Sequence, residues 1–246
     1  MSNEILTQQD GPVLRITINR PENGNGVTDP MVVELTGIIR EAPKTSQIVI
    51  LRGAGKDFCI GRAGMGGPPP ATLPDAYTRR NDSDIVFDAY GIMRSVAIPV
   101  VAVVHGKALG FGCAIAAACD VTLASDAATF QVPEMAHNIM PGMVMSSFID
   151  RVTRKGLSYL VWSQAVIDAH RALEFGIVSD VFPAAKLDQA VDEFVTAFLK
   201  APPVAARGVK EFTRVAYDMP TAGAIDYARN LHSLINTAGE MRRKNH

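Results

Sequence analysis

No segment constrains this chain more than Pro99-Val100-Val101-Ala102-Val103-Val104. It has no charged residue and no alternation, so it predicts a strand covered on both faces, as in a parallel sheet between layers of helix. It runs into Gly106 and Gly110 and then into the small-residue stretch Gly112 to Ala118, which suits a tightly packed helix. A buried strand ending at glycines that open a helix requires an α/β core. Val13 to Ile18 alternates after the turn Asp10-Gly11 and predicts a strand ending at Asn19-Arg20-Pro21. Gln47 to Leu51 predicts a second buried strand, and Val121 to Ala124 and Thr129 to Val132 two more. Asp29-Pro30 reads as a helix start, with Met31, Leu35, Ile38 and Ile39 at helical spacing over 30–42. A second helix is expected over 75–96, where Ile85, Ala89, Ile92, Met93 and Val96 share a face. Beyond about residue 142 the pattern is mostly helical, apart from a short strand at Ile177 to Phe182. The expectation is a core over 1–190 and a helical C-terminal region over 191–246, with Pro202-Pro203 a corner in the tail.

With 48% hydrophobic residues, the 246-residue chain can bury a sizeable core. The net charge of −1 excludes a global attraction to nucleic acid or an anionic membrane. A phosphate-bearing ligand would therefore need a local basic cluster. Met1 to Asp10 is polar and lacks the layout of a signal peptide, and no run approaches the roughly 18 apolar residues of a membrane span. Cys59, Cys113 and Cys119 form no metal-ligand ladder, so buried reduced thiols in a cytoplasmic protein are expected.

Two segments share one physical design. Phe58-Cys59-Ile60-Gly61 follows a buried strand and a glycine turn, and Gly106 to Cys113 joins a buried strand to the small-residue helix. Unpaired N–H groups at such helix starts can hold an anion or a developing oxyanion. Spacing alone leaves two readings: a paired oxyanion site, or two tight strand-to-helix turns. Other motifs fail. Gly110-Phe111-Gly112 lacks the third glycine of a dinucleotide fingerprint at Ile115, which disfavours a nicotinamide-dependent enzyme. Gly106-Lys107 is followed by Ala108 where a phosphate loop needs a hydroxyl. His105, His137, His170 and His232 are scattered, and a structural role is expected for His105.

The run Ile98 to Cys113, ending at Cys119-Asp120, closely resembles the central signature of the crotonase (enoyl-CoA hydratase/isomerase) family. Asn19-Arg20-Pro21-Glu22 with Asn25, Gly53 through Gly61, Thr129 through Glu134, Pro141-Gly142 and Ala172 to Pro183 match further blocks in order. The resemblance implies a crotonase-like spiral of ββα units whose helical C-terminal region closes the site and forms a homotrimer or dimer of trimers. It implies an acyl-CoA thioester as partner, coenzyme A arriving with the substrate, and no separate cofactor, nucleic acid or membrane. It places the oxyanion donors on the backbone N–H groups of Ile60 and Phe111, and the acid/base on Glu134. The residues expected to meet the coenzyme A are Lys56, Phe58, Gly61, Arg62, Ala63 and Gly110.

Three departures qualify the resemblance. Hydratases of the family use two glutamates, and the first falls on Ala114, so ordinary two-glutamate hydration is disfavoured. A single glutamate at position 134 is what family isomerases use. Double-bond isomerisation is therefore the preferred reading. A hydratase or lyase drawing its second group from elsewhere, and a catalytically silent acyl-CoA-binding subunit, are the alternatives. His137 and the 75–96 helix, with Asp75, Tyr77, Arg79, Asp82, Asp84 and Asp88, are sources of that second group. Ala63 replaces a usual Asp after Gly61-Arg62. The chain also ends soon after Asn236 to Glu240, with a basic cluster at Arg242-Arg243-Lys244.

Overall fold

The computed structural model describes residues 3–64, 72 and 75–242. β1 (Ile5–Asp10) and β2 (Val13–Ile18) make a hairpin, followed by α1 (Asp29–Glu41), β3 (Ile48–Gly53), α2 (Ala76–Asp82) and α3 (Asp84–Ser95). Then come β4 (Val100–Val104), β5 (Lys107–Leu109), α4 (Phe111–Ala118), β6 (Val121–Ser125), β7 (Thr129–Gln131) and α5 (Gly142–Phe148). The remainder is α6 (Arg154–Ser163), β8 (Ile167–Asp168), α7 (Ala169–Phe175), β9 (Asp180–Phe182), α8 (Leu187–Leu199), α9 (Pro203–Val215) and α10 (Thr221–Asn236).

The large sheet has the order β1-β2-β3-β4-β6-β9 and is parallel except for β1. A small sheet, β5-β7-β8, lies in a second layer. Successive strands of the large sheet lead to a piece of that layer and then to a helix. β4 leads to β5 and α4, and β6 to β7 and α5. After β2 the second-layer piece is Val27, bridged to Arg62; after β3 it is Cys59, bridged to Ala108. This is the ββα spiral that the resemblance implies.

The apolar runs are continuous because the sheet is covered on both faces. Val49, Leu51, Val100, Ala102 and Val104 point into the core under α1, α3 and α4. Ile48, Ile50, Val101 and Val103 point the other way, against Leu187, Val191 and Val195 of α8. Arg15 and Arg52 on that second face pair with Asp192 and Asp188 of α8. The boundary expected at 190/191 therefore falls inside a helix that belongs to the core.

Other boundaries also differ from expectation. The polar N-terminus forms β1, because an edge strand that buries little beyond Ile5 needs only backbone pairing with β2. The helix expected over 75–96 divides at Ser83, within Asn81-Asp82-Ser83-Asp84, whose side chains compete with the backbone for hydrogen bonds. The strand expected over Ile177 to Phe182 is confined to β9, since Ile177 and Val178 are still tied back to Ala172 at the end of α7. Cys59, Cys113 and Cys119 are free and buried, as the sequence predicted, and burial pushes the thiols of Cys59 and Cys119 up to about 12.

Lys210 of α9 is buried. Its Nζ donates to the Met93 carbonyl at 2.6 Å and to both oxygens of Asp120, at 2.7 and 2.6 Å. Phe212 of α9 stacks on Tyr227 of α10 at 6.3 Å. Among the described residues one ion pair thus fastens the helical tail to the core, and the stacked rings fasten the tail to itself. Among the described residues of α10 none is buried.

Candidate active site

The segment Phe58 to Ala63 is held from two sides. On one side Phe58 and Cys59 donate to the Lys107 carbonyl at 3.1 and 3.0 Å, and Leu109 donates to the Cys59 carbonyl at 2.9 Å. On the other, Val27 donates to the Gly61 carbonyl at 3.0 Å and Ala63 donates to the Val27 carbonyl at 2.7 Å. In such a parallel bridge the N–H of the central residue, Arg62, turns away from the partner strand. It makes no hydrogen bond to a described residue.

The Ile60 N–H is not available in this way. It donates to the Gly24 carbonyl at 3.0 Å, so the donor expected at Ile60 is already spent inside the protein. The unspent N–H that the bridge directs away from Val27 belongs to Arg62. This is a correction of two positions. Its physical reason is the pairing with Val27, more than thirty residues upstream, which no local motif reveals.

The second expected donor keeps its place. Phe111 opens α4, where an N–H has no intrahelical acceptor, and it makes no bond to a described carbonyl. Gly110 before it has φ 50° and ψ −113°, a conformation that a side chain strongly disfavours. Gly112 brings the start of α4 onto Cys59. A Cβ there would lie 2.0 Å from the Cys59 carbonyl oxygen, with backbone that cannot step aside. Gly112→Ala is therefore expected to cost about 2–3 kcal/mol or more of stability, measured by urea unfolding. A loss below about 1 kcal/mol would show that the two segments are not locked together.

Glu134 begins a 3-10 turn, Glu134–His137, after β7. Its carboxylate lies over Gly110, where a Cβ would come within 2.7 Å of Oε1. The other oxygen, Oε2, is buried without a hydrogen-bond partner. Burial pushes this carboxyl above the ordinary glutamate range, opposed by its own backbone N–H and by the nearby His137.

Glu134, Gly110, Phe111, Ile60, Gly61 and Arg62 line one cavity of about 230 Å³, with Tyr90 and Val86 of α3 and a wall of Ile139, Met140, Met143 and Val144. Glu134 is the one carboxylate among its described lining residues. Ala114, where a second carboxylate was sought, is fully buried in the core and contributes nothing to the wall. His137 lines the cavity; Asp75, Tyr77, Asp82, Asp84 and Asp88 do not. Asp75 instead caps α2, accepting from the N–H groups of Tyr77 and Thr78. Arg79 lies outside the described side chains. A larger hollow of about 540 Å³ near Pro43 and Pro202 is an open polar groove remote from this carboxylate.

Of the residues expected to meet coenzyme A, Gly61, Arg62 and Gly110 line the cavity and Lys56, Phe58 and Ala63 do not. Phe58 is 0% exposed and packs in the core, so its side chain cannot meet a ligand. The Arg62 guanidinium is bound to Asp29, with Nε donating at 2.7 Å, and that bond holds the Asp29 carboxyl below its usual range. Lys56 is exposed, with no ion pair to a described residue. His105 Nε2 lies 3.0 Å from the Gly55 carbonyl oxygen. In the basic cluster Arg242 is exposed, and Arg243 and Lys244 lie outside the described residues. The residue that sequence reasoning missed is Tyr90, which lies four positions after Val86 on the buried face of α3. A tyrosine in an apolar stripe was the available signal.

The model of the family described as enoyl-CoA hydratase/isomerase matches residues 8–244. A probable enoyl-CoA hydratase of Mycobacterium tuberculosis is 32% identical over 237 residues, covering 95% of this chain and 90% of that protein. A crystal structure of a putative enoyl-CoA hydratase of Thermobifida fusca in complex with CoA superposes with a TM-score of 0.83 at 27% identity, covering 94% of this chain and 92% of that one. A Mycobacterium smegmatis enoyl-CoA hydratase, at 22% identity, shares the fold with a TM-score of 0.89 over 97% of this chain and 93% of its own. A ββα spiral, a glycine-opened helix facing a half-buried glutamate, and a match over nearly the whole chain lead to one conclusion: this chain belongs to the enoyl-CoA hydratase/isomerase family.

Proposed function

We propose that the chain isomerises the double bond of an enoyl-CoA thioester through an enolate. The observation that carries this reading is a lone carboxylate beside two uncommitted backbone N–H groups. Glu134 takes the proton from C2 of a 3-enoyl thioester. The electron pair spreads into a dienolate whose oxygen accepts from the N–H groups of Arg62 and Phe111. The Glu134 carboxyl then returns the proton to C4, leaving the double bond at C2. Removing one oxyanion donor typically raises such a barrier by about 3 kcal/mol. Lys56 is the basic group on this segment left to meet a nucleotide phosphate of coenzyme A.

A second reading, hydration, is favoured by the names of relatives, which include the short-chain-enoyl-CoA hydratase of Clostridium acetobutylicum, 29% identical over 212 residues. NMR of enoyl-CoA thioesters incubated with the protein in D₂O separates the two. A shifted double bond with deuterium at the chain supports isomerisation, and an added hydroxyl supports hydration. Binding without either product would leave an acyl-CoA-binding subunit.

The exposed apolar residues of the late helices, Trp162, Ile225 and Leu234 among them, fit the proposed assembly of trimers or pairs of trimers. Light scattering is expected to give three or six times the chain mass of 26.4 kDa. A single-chain mass would rule that assembly out.

A further inference from the structure

Tyr90 is 2% exposed, and its ring lies 5.5 Å from that of Phe111 at an angle of 32°. The aromatic pair fixes the phenol beside the start of α4, in the wall of the cavity that holds Glu134. The hydroxyl makes no hydrogen bond to a described residue, and Glu134, in the lining of the same cavity, has its Oε2 buried without a partner. Burial first, and the Glu134 charge second, push the phenol far above its usual range, so it remains a proton-bearing donor. Val86, Ile139, Met143 and Val144 line the same cavity. A hydrocarbon chain filling this space would strip the hydroxyl of solvent without giving it a partner, which is costly. A chain bearing an oxygen would supply that partner.

We propose that Tyr90 selects acyl thioesters carrying an oxygen on the acyl chain, donating its phenolic hydrogen to that oxygen from the wall it shares with Phe111. The proposal rests on the reading of this cavity as the acyl site. It makes Tyr90 a specificity-determining residue, supplied by α3 and distinct from the family position at Ala114.

The test is calorimetric titration of butyryl-CoA and 3-oxobutyryl-CoA into the intact protein, Tyr90→Phe and Glu134→Gln. The 3-oxo oxygen is the acceptor, and the fall of its advantage in Tyr90→Phe reports the Tyr90 donor apart from any enol held by the oxyanion groups. Wild type is expected to bind 3-oxobutyryl-CoA at least about tenfold more tightly than butyryl-CoA. Tyr90→Phe should remove most of that difference and leave butyryl-CoA within about twofold. Equal affinities in wild type, or an undiminished difference in Tyr90→Phe, would overturn the selection. So would an equal loss for both ligands, which would mark Tyr90 as packing alone. If Glu134→Gln still abolishes exchange at C2 in those cases, the enolate reading survives and this one fails. If neither thioester binds, the acyl-site reading fails and takes this inference with it.

Discussion

Glu134→Gln is expected to lower the rate of proton exchange at C2 of enoyl-CoA thioesters by about 10²–10⁴-fold, with thioester affinity nearly unchanged. The substitution preserves the shape of a side chain whose Oε1 overlies Gly110 and whose Oε2 is buried without a partner. It removes the one carboxylate among the described lining residues, the group proposed to take a proton and hand it back. Burial disfavours the charged carboxylate, so the folded protein holds this group's pKa above the unfolded value. Ionising it therefore weakens the fold as pH rises through that interval, while the ionised base needed for catalysis appears. The acid limb of kcat/KM should accordingly lie above the ordinary carboxylate range and vanish from the residual activity of the Gln variant. An unchanged exchange rate, or an unchanged acid limb, would remove Glu134 from the proton-transfer step.

The largest expected effect on stability comes from Lys210→Met, a loss of about 3–5 kcal/mol in urea unfolding. Its ammonium satisfies both Asp120 oxygens and the Met93 carbonyl, while Asp120 Oδ2 also accepts from the Val100 N–H at 2.8 Å. Burial lowers the Lys210 pKa, and the Asp120 carboxylate opposes that shift. The cation is therefore retained by its partner rather than by solvent. Without it, a largely buried carboxylate at the corner between α4 and β6 loses its ion-pair partner. Adding Asp120→Asn removes that charge but keeps an acceptor for Val100, so the double variant should recover part of the loss. A loss below about 1 kcal/mol for the single variant would mean that the pair is not what fastens the helical tail.

The same features show how far the sequence carried the reading. The residues that become Glu134, Phe111 and the glycines before α4 stand in a run whose order specifies their local geometry. Ile60 reads as a donor in that linear view because it precedes the glycine turn. The hydrogen bond from its N–H to Gly24 is a long-range fact, and it leaves the unspent N–H of this segment on Arg62. Arg62, read as a basic contact for coenzyme A, spends its side-chain charge on Asp29. Tyr90 is indistinguishable from a core aromatic until the fold brings it beside Phe111 and Glu134 in one wall.

By itself the sequence determined the two-faced buried strands, the helix opened by Gly110 and Gly112, and the position of Glu134. These follow from local sterics and from a side-chain period that sheet and helix impose on neighbouring residues. The tertiary structure alone decided which N–H groups stay unspent, which polar groups share the cavity, and that Lys210 would meet Asp120 ninety positions away. Those outcomes depend on strands and helices distant in the chain competing for the same donors and acceptors. That competition is settled only when the spiral closes.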